Sequence, residues 1–190
     1  MKSTEIIVQD HIIIRHGLDI VDAMLGKLQD GQRIEIFDAT TMLKFMRLFG
    51  DQYHQAMEEN VLFPALLRAA PDDTALSQLL SEHGNERTLV DEIEAALMSR
   101  RGLAFFNSSH QLTALLRKHC EREEIIVHAL AESCLSKQQD DEIVVAFVTN
   151  RARVESYTNF SRLERRYLPN PSTTAVRPAH RLASAGGSAS

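Results

Sequence analysis

Apolar residues recur at alternating spacings of three and four along most of this chain, which is the periodicity of a helix that buries one side. The first such run predicts a helix that starts at Ser3 or Thr4 and ends at Asp30-Gly31. The later runs predict helices from Asp38 to about Ala70, from Asp72 or Asp73 to a turn at 100–102, from about Phe105 to Leu135, and from about Asp140 to Leu168.

A weak internal repeat relates the first two predicted helices to the next two. Gln9-Asp10-His11 matches Ser81-Glu82-His83, and His54-Gln-Ala-Met-Glu58 matches His119-Cys-Glu-Arg-Glu123. Each half is then a helical hairpin, and two hairpins make an all-α, up-down-up-down four-helix bundle.

The last predicted helix is an additional C-terminal helix on this bundle, so residues 1–168 form one helical domain. Residues 169–190 are rich in Pro, Ser, Thr, Ala and Gly. They have too little apolar surface to offset the entropy cost of ordering, and we predict a disordered C-terminal tail.

Composition narrows the class of protein. The chain has 190 residues, of which 44% are hydrophobic and 25% charged, as expected for a soluble globular protein. No apolar run approaches the roughly 20 residues of a membrane span, and the first residues lack the shape of a signal peptide. The net charge of −5 argues against a nucleic-acid partner. Two cysteines build no disulfide framework, so we expect a cytoplasmic protein.

Six polar side chains fall on the inward stripes of the four bundle helices. Residues four apart lie one turn apart on one face of a helix, so a His-x-x-x-Glu pair can bind one metal ion. The six residues are two such pairs and two single histidines: His11, His54, Glu58, His83, His119 and Glu123. Polar groups are costly in a bundle core unless something satisfies them. A metal site would do so, and histidines hydrogen-bonded to carboxylates without a metal are the alternative.

A His-x-x-x-Glu pair also arises by chance, and a third copy runs from His128 to Glu132. His128 lies nine residues after His119, about 180° around the same helix, and is therefore predicted to face outward. The stripe on which a pair lies therefore matters more than the pair itself.

The sequence resembles the hemerythrin-like family, in its HHE cation-binding branch, over about residues 5–135. The matching stretches are Asp10-His11, His54 through Pro64, Glu82-His83, and His119-Cys-Glu-Arg-Glu123-Glu124. The resemblance implies a bundle that holds two non-haem iron ions with an oxo or hydroxo bridge. By that resemblance, one iron takes His11 and His54, the other takes His83 and His119, and Glu58 and Glu123 bridge or join them. Iron is favoured over manganese and zinc; structural zinc prefers cysteine-rich sites, and catalytic zinc takes three protein ligands.

The chain departs from the oxygen-carrying members of that family. The carriers have a second histidine one turn after the third-helix histidine, where this chain has Arg87. Their last motif ends in an aspartate at five residues, whereas Glu123 follows His119 at four. His16 is a candidate for the carriers' fifth histidine, although it lies about 140° around the helix from His11. These departures leave room for peroxide or nitric oxide chemistry.

The resemblance implies a protein that binds or reacts with dioxygen, peroxide or nitric oxide, with catalase-like protection against oxidative or nitrosative stress as one form. The alternative is an iron-handling protein, or a sensor of iron or oxygen, without catalytic turnover. Iron-cluster repair is favoured least, because the first bundle helix begins almost at residue 1 and no cysteine-bearing segment precedes it. A metal-free interaction bundle is a further alternative, and the oligomeric state stays open.

Other polar residues lie close in sequence to the six candidate metal ligands. Glu59 and Glu124 are expected to be exposed, with support of a ligand histidine as the alternative. Arg87 is expected to pair with Glu86, and Cys120 to pack in the core.

Overall fold

The computed structural model describes residues 1–71 and 74–168. Within those ranges the chain is helical with short connections and contains no β-strand, so the predicted all-α class is confirmed. In chain order the elements are α1 Lys2–Gln29, α2 Ile36–Phe45, the π-helical segments Met46–Gln55 and Glu58–Leu62, α3 Phe63–Ala69, α4 Ala75–Met98, α5 Gly102–Cys134, α6 Lys137–Arg151, a 3-10 turn Glu155–Thr158, and α7 Ser161–Tyr167. The predicted tail at 169–190 and the predicted caps Asp72 and Asp73 lie outside the described residues.

The helix predicted to start at Ser3 or Thr4 begins at Lys2, and a side chain of α6 caps its N-terminus. The Asp140 carboxylate accepts the backbone N–H groups of Lys2 at 2.9 Å and Ser3 at 3.0 Å. It also accepts the Ser3 hydroxyl at 2.5 Å. A helix start leaves backbone N–H groups without partners inside the helix, and a carboxylate is well suited to satisfy them. Local sequence could not reveal a cap that arrives from residue 140.

The second helix likewise starts at Ile36 and does not use Asp38 as its cap. Asp38 is fully buried and binds α7 instead, accepting hydrogen bonds from Arg166 at 2.7 Å and the Tyr167 hydroxyl at 2.8 Å. Burial opposes the charge of Asp38, but these hydrogen bonds outweigh it and lower the pKa of the carboxyl. Asp38 therefore attaches α7 to the start of the second helix.

The segments α2, Met46–Gln55, Glu58–Leu62 and α3 form one helical rod, called here the second rod, because the backbone at each junction stays right-handed helical. Pro64 explains the second π-helical segment: it has no N–H to donate to the carbonyl four residues earlier, at Asn60. Segments of π-helix occur frequently at functional sites. Here they carry His54 and Glu58.

The second rod and α5 each pack against both α1 and α4, so these four elements surround a common core. Large aromatic side chains fill part of it, with Phe45 stacked on Phe49 at 5.4 Å between ring centres. The backbone of Gly17 lies against the same ring, and a Cβ added there would come 2.6 Å from Phe45. No helix in the described ranges is long and apolar enough to cross a membrane.

The predicted single helix from 140 to 168 is wrong, because the chain breaks between Arg151 and Ser161. Asn159 has an extended backbone, and its side chain accepts the Ser161 N–H at 3.2 Å and the Ser161 hydroxyl at 2.8 Å. An asparagine oxygen that accepts the backbone N–H two residues later forms an Asx-turn, which stabilises a turn ahead of the helix. The break lets α6 pack along α1 while α7 reaches the other end of α1 and Asp38.

Candidate metal centre

The four core elements bring the six predicted residues into one buried cage. α1 supplies His11, the second rod supplies His54 and Glu58, α4 supplies His83, and α5 supplies His119 and Glu123. None of the six is more than 3% exposed. Two groups in this cage have the geometry to hold a metal ion: His11, His54, Glu58 and Glu123, and His83, His119 and Glu123. Within each group the ligand atoms lie within 4.8 Å of one another.

The two glutamates connect the two groups. One Glu58 oxygen lies 3.1 Å from Nε2 of His54, and the other lies 3.4 Å from Nε2 of His83. Glu123 Oε2 lies 3.1 Å from Nε2 of His11 and 3.4 Å from Nε2 of His119. Each carboxylate therefore faces one histidine from each half of the sequence repeat. This is an arrangement in which a carboxylate can bridge two ions.

Each cage histidine meets a second carboxylate at its outward nitrogen. Nδ1 of His11 lies 2.9 Å from Glu124, and Nδ1 of His83 lies 2.8 Å from Glu59. When Nδ1 carries the proton and donates it to a carboxylate, Nε2 keeps a lone pair for a metal.

His119 follows the same pattern, because its Nδ1 lies 2.9 Å from Glu82. Nδ1 of His54 faces Asp10 at 3.7 Å, which is too long for a hydrogen bond. All four imidazoles turn Nδ1 toward an outer carboxylate and Nε2 toward a cage glutamate.

Arginines neutralise all four of these outer carboxylates. Arg15 lies 2.7 Å from Glu124, and Arg87 lies 2.7 Å from Glu59; each arginine sits one turn after its helix's histidine. Arg122, three residues after His119, pairs with Glu82.

The fourth arginine comes from outside the repeat. The position that matches Arg122 in the first half is Met57. Because Met57 has no charge, the outer carboxylate Asp10 is neutralised instead by Arg151, the last residue of α6, which lies 2.6 Å from it. Asp10 is fully buried. The added helix is thus connected to the cage through the contacts Arg151–Asp10–His54.

These contacts overturn three expectations from the sequence. Glu59 and Glu124 were expected to be exposed, but each is about three-quarters buried and holds a cage histidine. Arg87 was expected to pair with Glu86; it binds Asp51 at 2.6 Å and Glu59 instead. The repeat contained the missed signal, because it places an acidic residue directly after both cage glutamates and directly before His11 and His83.

The buried charges give the two cage glutamates opposite proton affinities. Burial and the negative charge of Glu123 raise the pKa of Glu58 well above its usual value. Burial opposes the charge of Glu123 as well, but hydrogen bonds from His11 and His119 outweigh it and lower the pKa of that carboxyl. Without a metal, Glu58 therefore binds a proton more readily than Glu123.

The four cage histidines also differ in proton affinity. Burial lowers the pKa of His54, and burial together with the charge of His119 lowers the pKa of His83 to about 4. Burial acts to lower the pKa of His11, but hydrogen bonds to Cys120, Glu123 and Glu124 outweigh it and raise the pKa. Burial acts in the same way on His119, whose pKa is raised by its hydrogen bond to Glu123. Metal ions that bind here therefore displace protons.

Several buried atoms of the cage have no hydrogen-bond partner among the described residues. They are both ring nitrogens of His54, both oxygens of Glu58, and Glu123 Oε1. Leaving a buried polar atom unsatisfied costs about 1–3 kcal/mol. Metal ions would satisfy the nitrogen lone pair and the carboxylate oxygens together, so the residues present fit a metal centre.

Other sequence candidates lie outside the cage. His16 turns toward α7, where its Nε2 lies 2.6 Å from Glu164, and it belongs to neither metal group. Cys120 is buried as expected, and His128 is exposed as predicted. The outward His-x-x-x-Glu copy is thus a matched control for the two inward ones.

The helical scaffold and the buried histidine–glutamate cage define a metal-cation-binding class of protein. The family model described as Hemerythrin HHE cation binding domain matches residues 2–131, and the chain belongs to this family. The match contains all six cage residues and ends before α6 and α7. No curated protein and no solved structure matches the chain.

Proposed function

We propose that this chain is a non-haem di-iron protein that binds and reacts with small oxygen or nitrogen ligands, with peroxide removal as the favoured reaction. The scaffold would be an up-down-up-down four-helix bundle. The observation that carries the proposal is the position of Glu58 and Glu123, each of which faces a histidine of both halves. Two ions 3.5–4 Å apart with shared carboxylates are the usual form of a two-metal site.

In this proposal His11 and His54 would hold one ion, His83 and His119 would hold the other, and Glu58 and Glu123 would be shared between them. Two iron ions held in this way would supply reversible oxidation between diferrous and diferric states. The outer carboxylates fix the direction of each imidazole, and the burial of the cage excludes bulk water.

Arg87 supports reaction over plain oxygen carriage. It stands where the carriers have a further histidine ligand, and a guanidinium stays protonated and cannot donate a lone pair to a metal. Its contacts to Asp51 and Glu59 also turn it away from a ligand role. One iron would then have fewer protein ligands and more room for a reacting molecule.

Peroxide consumption by the iron-loaded protein tests this function. Two molecules of hydrogen peroxide would give two of water and one of dioxygen, and oxygen release is measured with an electrode. We expect His54→Ala to lose this activity and iron, and His128→Ala, the outward control on α5, to keep both.

Each other outcome has a defined meaning. Reversible dioxygen uptake without peroxide consumption would restore the carrier function. Iron binding without either reaction would favour iron handling or sensing, and equal activity in wild type and His54→Ala would refute the assignment. A cytoplasmic location stays an expectation, supported by the two unpaired cysteines.

A further inference from the structure

A small cavity reaches the cage from one side. It has a volume of about 20 Å³, and it is bordered by His54 and His119 but not by His11 or His83. A space of 10–15 Å³ on this scale holds one water molecule. The cavity therefore has the size of a ligand with one or two heavy atoms, next to one histidine of each metal group.

The walls of this cavity break the symmetry of the repeat. One residue after His54 is Gln55, whereas one residue after His119 is Cys120. Three residues after His83 is Glu86, whereas three residues after His11 is Ile14. All four of these residues line the cavity, and Arg47, Asp51 and Arg87 line it as well. The second rod and α4 therefore contribute an amide and a carboxyl to the cavity at positions where α5 and α1 contribute a thiol and an apolar side chain.

Gln55 and Glu86 bind each other but leave two oxygens without partners. The Gln55 amide N–H donates to Glu86 Oε2. Gln55 Oε1 and Glu86 Oε1 have no hydrogen-bond partner within the described ranges, although the residues are only 4% and 2% exposed. Nδ1 of His119 lies 3.8 Å from Glu86 Oε1, which is too long for a hydrogen bond. Two unsatisfied buried oxygens beside a cavity indicate that a molecule in the cavity supplies the missing hydrogen bonds.

We propose that this cavity is a subsite for hydrogen peroxide, in which Gln55 and Glu86 hydrogen-bond to the peroxide and position it beside the metal cage. The amide oxygen of Gln55 can only accept a hydrogen bond, and peroxide has two O–H donors. Glu86 Oε1 accepts when it is ionised and donates when it is protonated, and peroxide can match both states. Free dioxygen and nitric oxide have no hydrogen to donate. The subsite thus rests on the proposed di-iron function and selects one ligand class for it.

Steady-state peroxide consumption by iron-loaded variants tests the subsite. One hydrogen bond is worth about 0.5–1.5 kcal/mol, so we expect Gln55→Leu to raise KM for peroxide about 2- to 13-fold, with kcat and iron content unchanged. Glu86→Leu should act in the same way, whereas Glu86→Gln keeps an oxygen at this position and should restore a KM near that of wild type. Nitric oxide binding to the diferrous protein should stay the same in all three. Unchanged KM values, or an effect on nitric oxide alone, would overturn the subsite.

A glycine pair provides a second test by filling the cavity. Gly50 lines the cavity, and a Cβ added to it meets no protein atom within 4 Å. A Cβ added to Gly84 also meets no protein atom within 4 Å, but Gly84 is exposed on α4 and does not line the cavity. We expect Gly50→Leu to lower kcat/KM for peroxide at least 10-fold and Gly84→Leu to leave it unchanged. Equal values in the two variants would contradict a ligand position at this cavity.

A binding measurement without turnover separates this subsite from the proposed reaction. In zinc-loaded protein, which cannot oxidise or reduce peroxide, the side-chain amide NMR signal of Gln55 should shift saturably as peroxide is added. A shift in a protein whose iron form consumes no peroxide would keep the subsite and refute the reaction. Consumption by the iron form without any shift would refute the subsite.

Discussion

Arg151 offers the sharpest test of whether α6 supports the metal cage. Its side chain is 32% exposed, but its partner Asp10 is fully buried, and the closest N–O distance is 2.6 Å. Arg151→Met keeps most of the aliphatic stem and removes the charge, which leaves Asp10 buried without a cation. Breaking a buried ion pair costs about 3–5 kcal/mol, and partial exposure of the arginine reduces this to about 2–3 kcal/mol.

A double-mutant cycle isolates this interaction. Asp10→Asn removes the buried charge, so in that background Arg151→Met should cost less than about 1 kcal/mol in the free energy of unfolding. Urea unfolding of the metal-free protein at pH 7 measures all four forms. Arg153→Met replaces an exposed neighbour and should change stability by less than about 0.5 kcal/mol.

The same variant should weaken metal binding, because Asp10 faces the outward nitrogen of His54. Loss of such outer support typically lowers metal affinity about 10- to 100-fold. An equal cost of Arg151→Met in the wild-type and Asp10→Asn backgrounds would contradict a stabilising Arg151–Asp10 ion pair. An unchanged metal affinity would contradict its support of the cage.

Three further predictions concern protons and packing. Because burial raises the pKa of Glu58, metal affinity should fall as pH decreases through that raised pKa, which a metal titration at several pH values measures. The pKa of Asp38 is lowered in the folded protein, so the carboxylate stabilises the fold above its usual pKa, and this stabilisation is lost as pH falls through the lowered pKa. Asp38→Asn should therefore reduce the free energy of unfolding by about 1–2 kcal/mol at pH 7 and by little at acid pH, as measured by urea unfolding. Gly17→Ala should destabilise by about 1–3 kcal/mol through its contact with Phe45, whereas Gly26→Ala, with open space, should stabilise slightly in thermal melts.

The sequence was informative where a side chain repeats the helical period. His11, His54, His83 and His119 could be placed on inward stripes because each continues the apolar stripe of its predicted helix. The structure places all four in the core. The outward direction of His128 followed from the same angular argument.

Contacts between distant parts of the chain could not be predicted in this way. Asp140 and Asp38 look like helix caps in the local sequence, yet each binds an element more than 120 residues away in sequence. Arg151 lies on a helix with no histidine, and nothing local links it to Asp10. The contacts of Glu59 with His83 and of Glu124 with His11 were not predicted, because an acidic residue directly after an inward-facing residue is usually exposed to solvent. Their role depends on the neighbouring helix, which periodicity does not describe.

The number of iron ions per chain distinguishes a two-metal cage from a single metal site. Metal-free protein is titrated with ferrous iron under anaerobic conditions, and bound metal is counted per chain after removal of free iron. We expect a break at two iron ions per chain in wild type and in His128→Ala. We also expect bound iron to be lost when His54 and His119 are both changed to Ala. A break at one iron, or wild-type binding by the His54→Ala/His119→Ala variant, would contradict the two-metal cage.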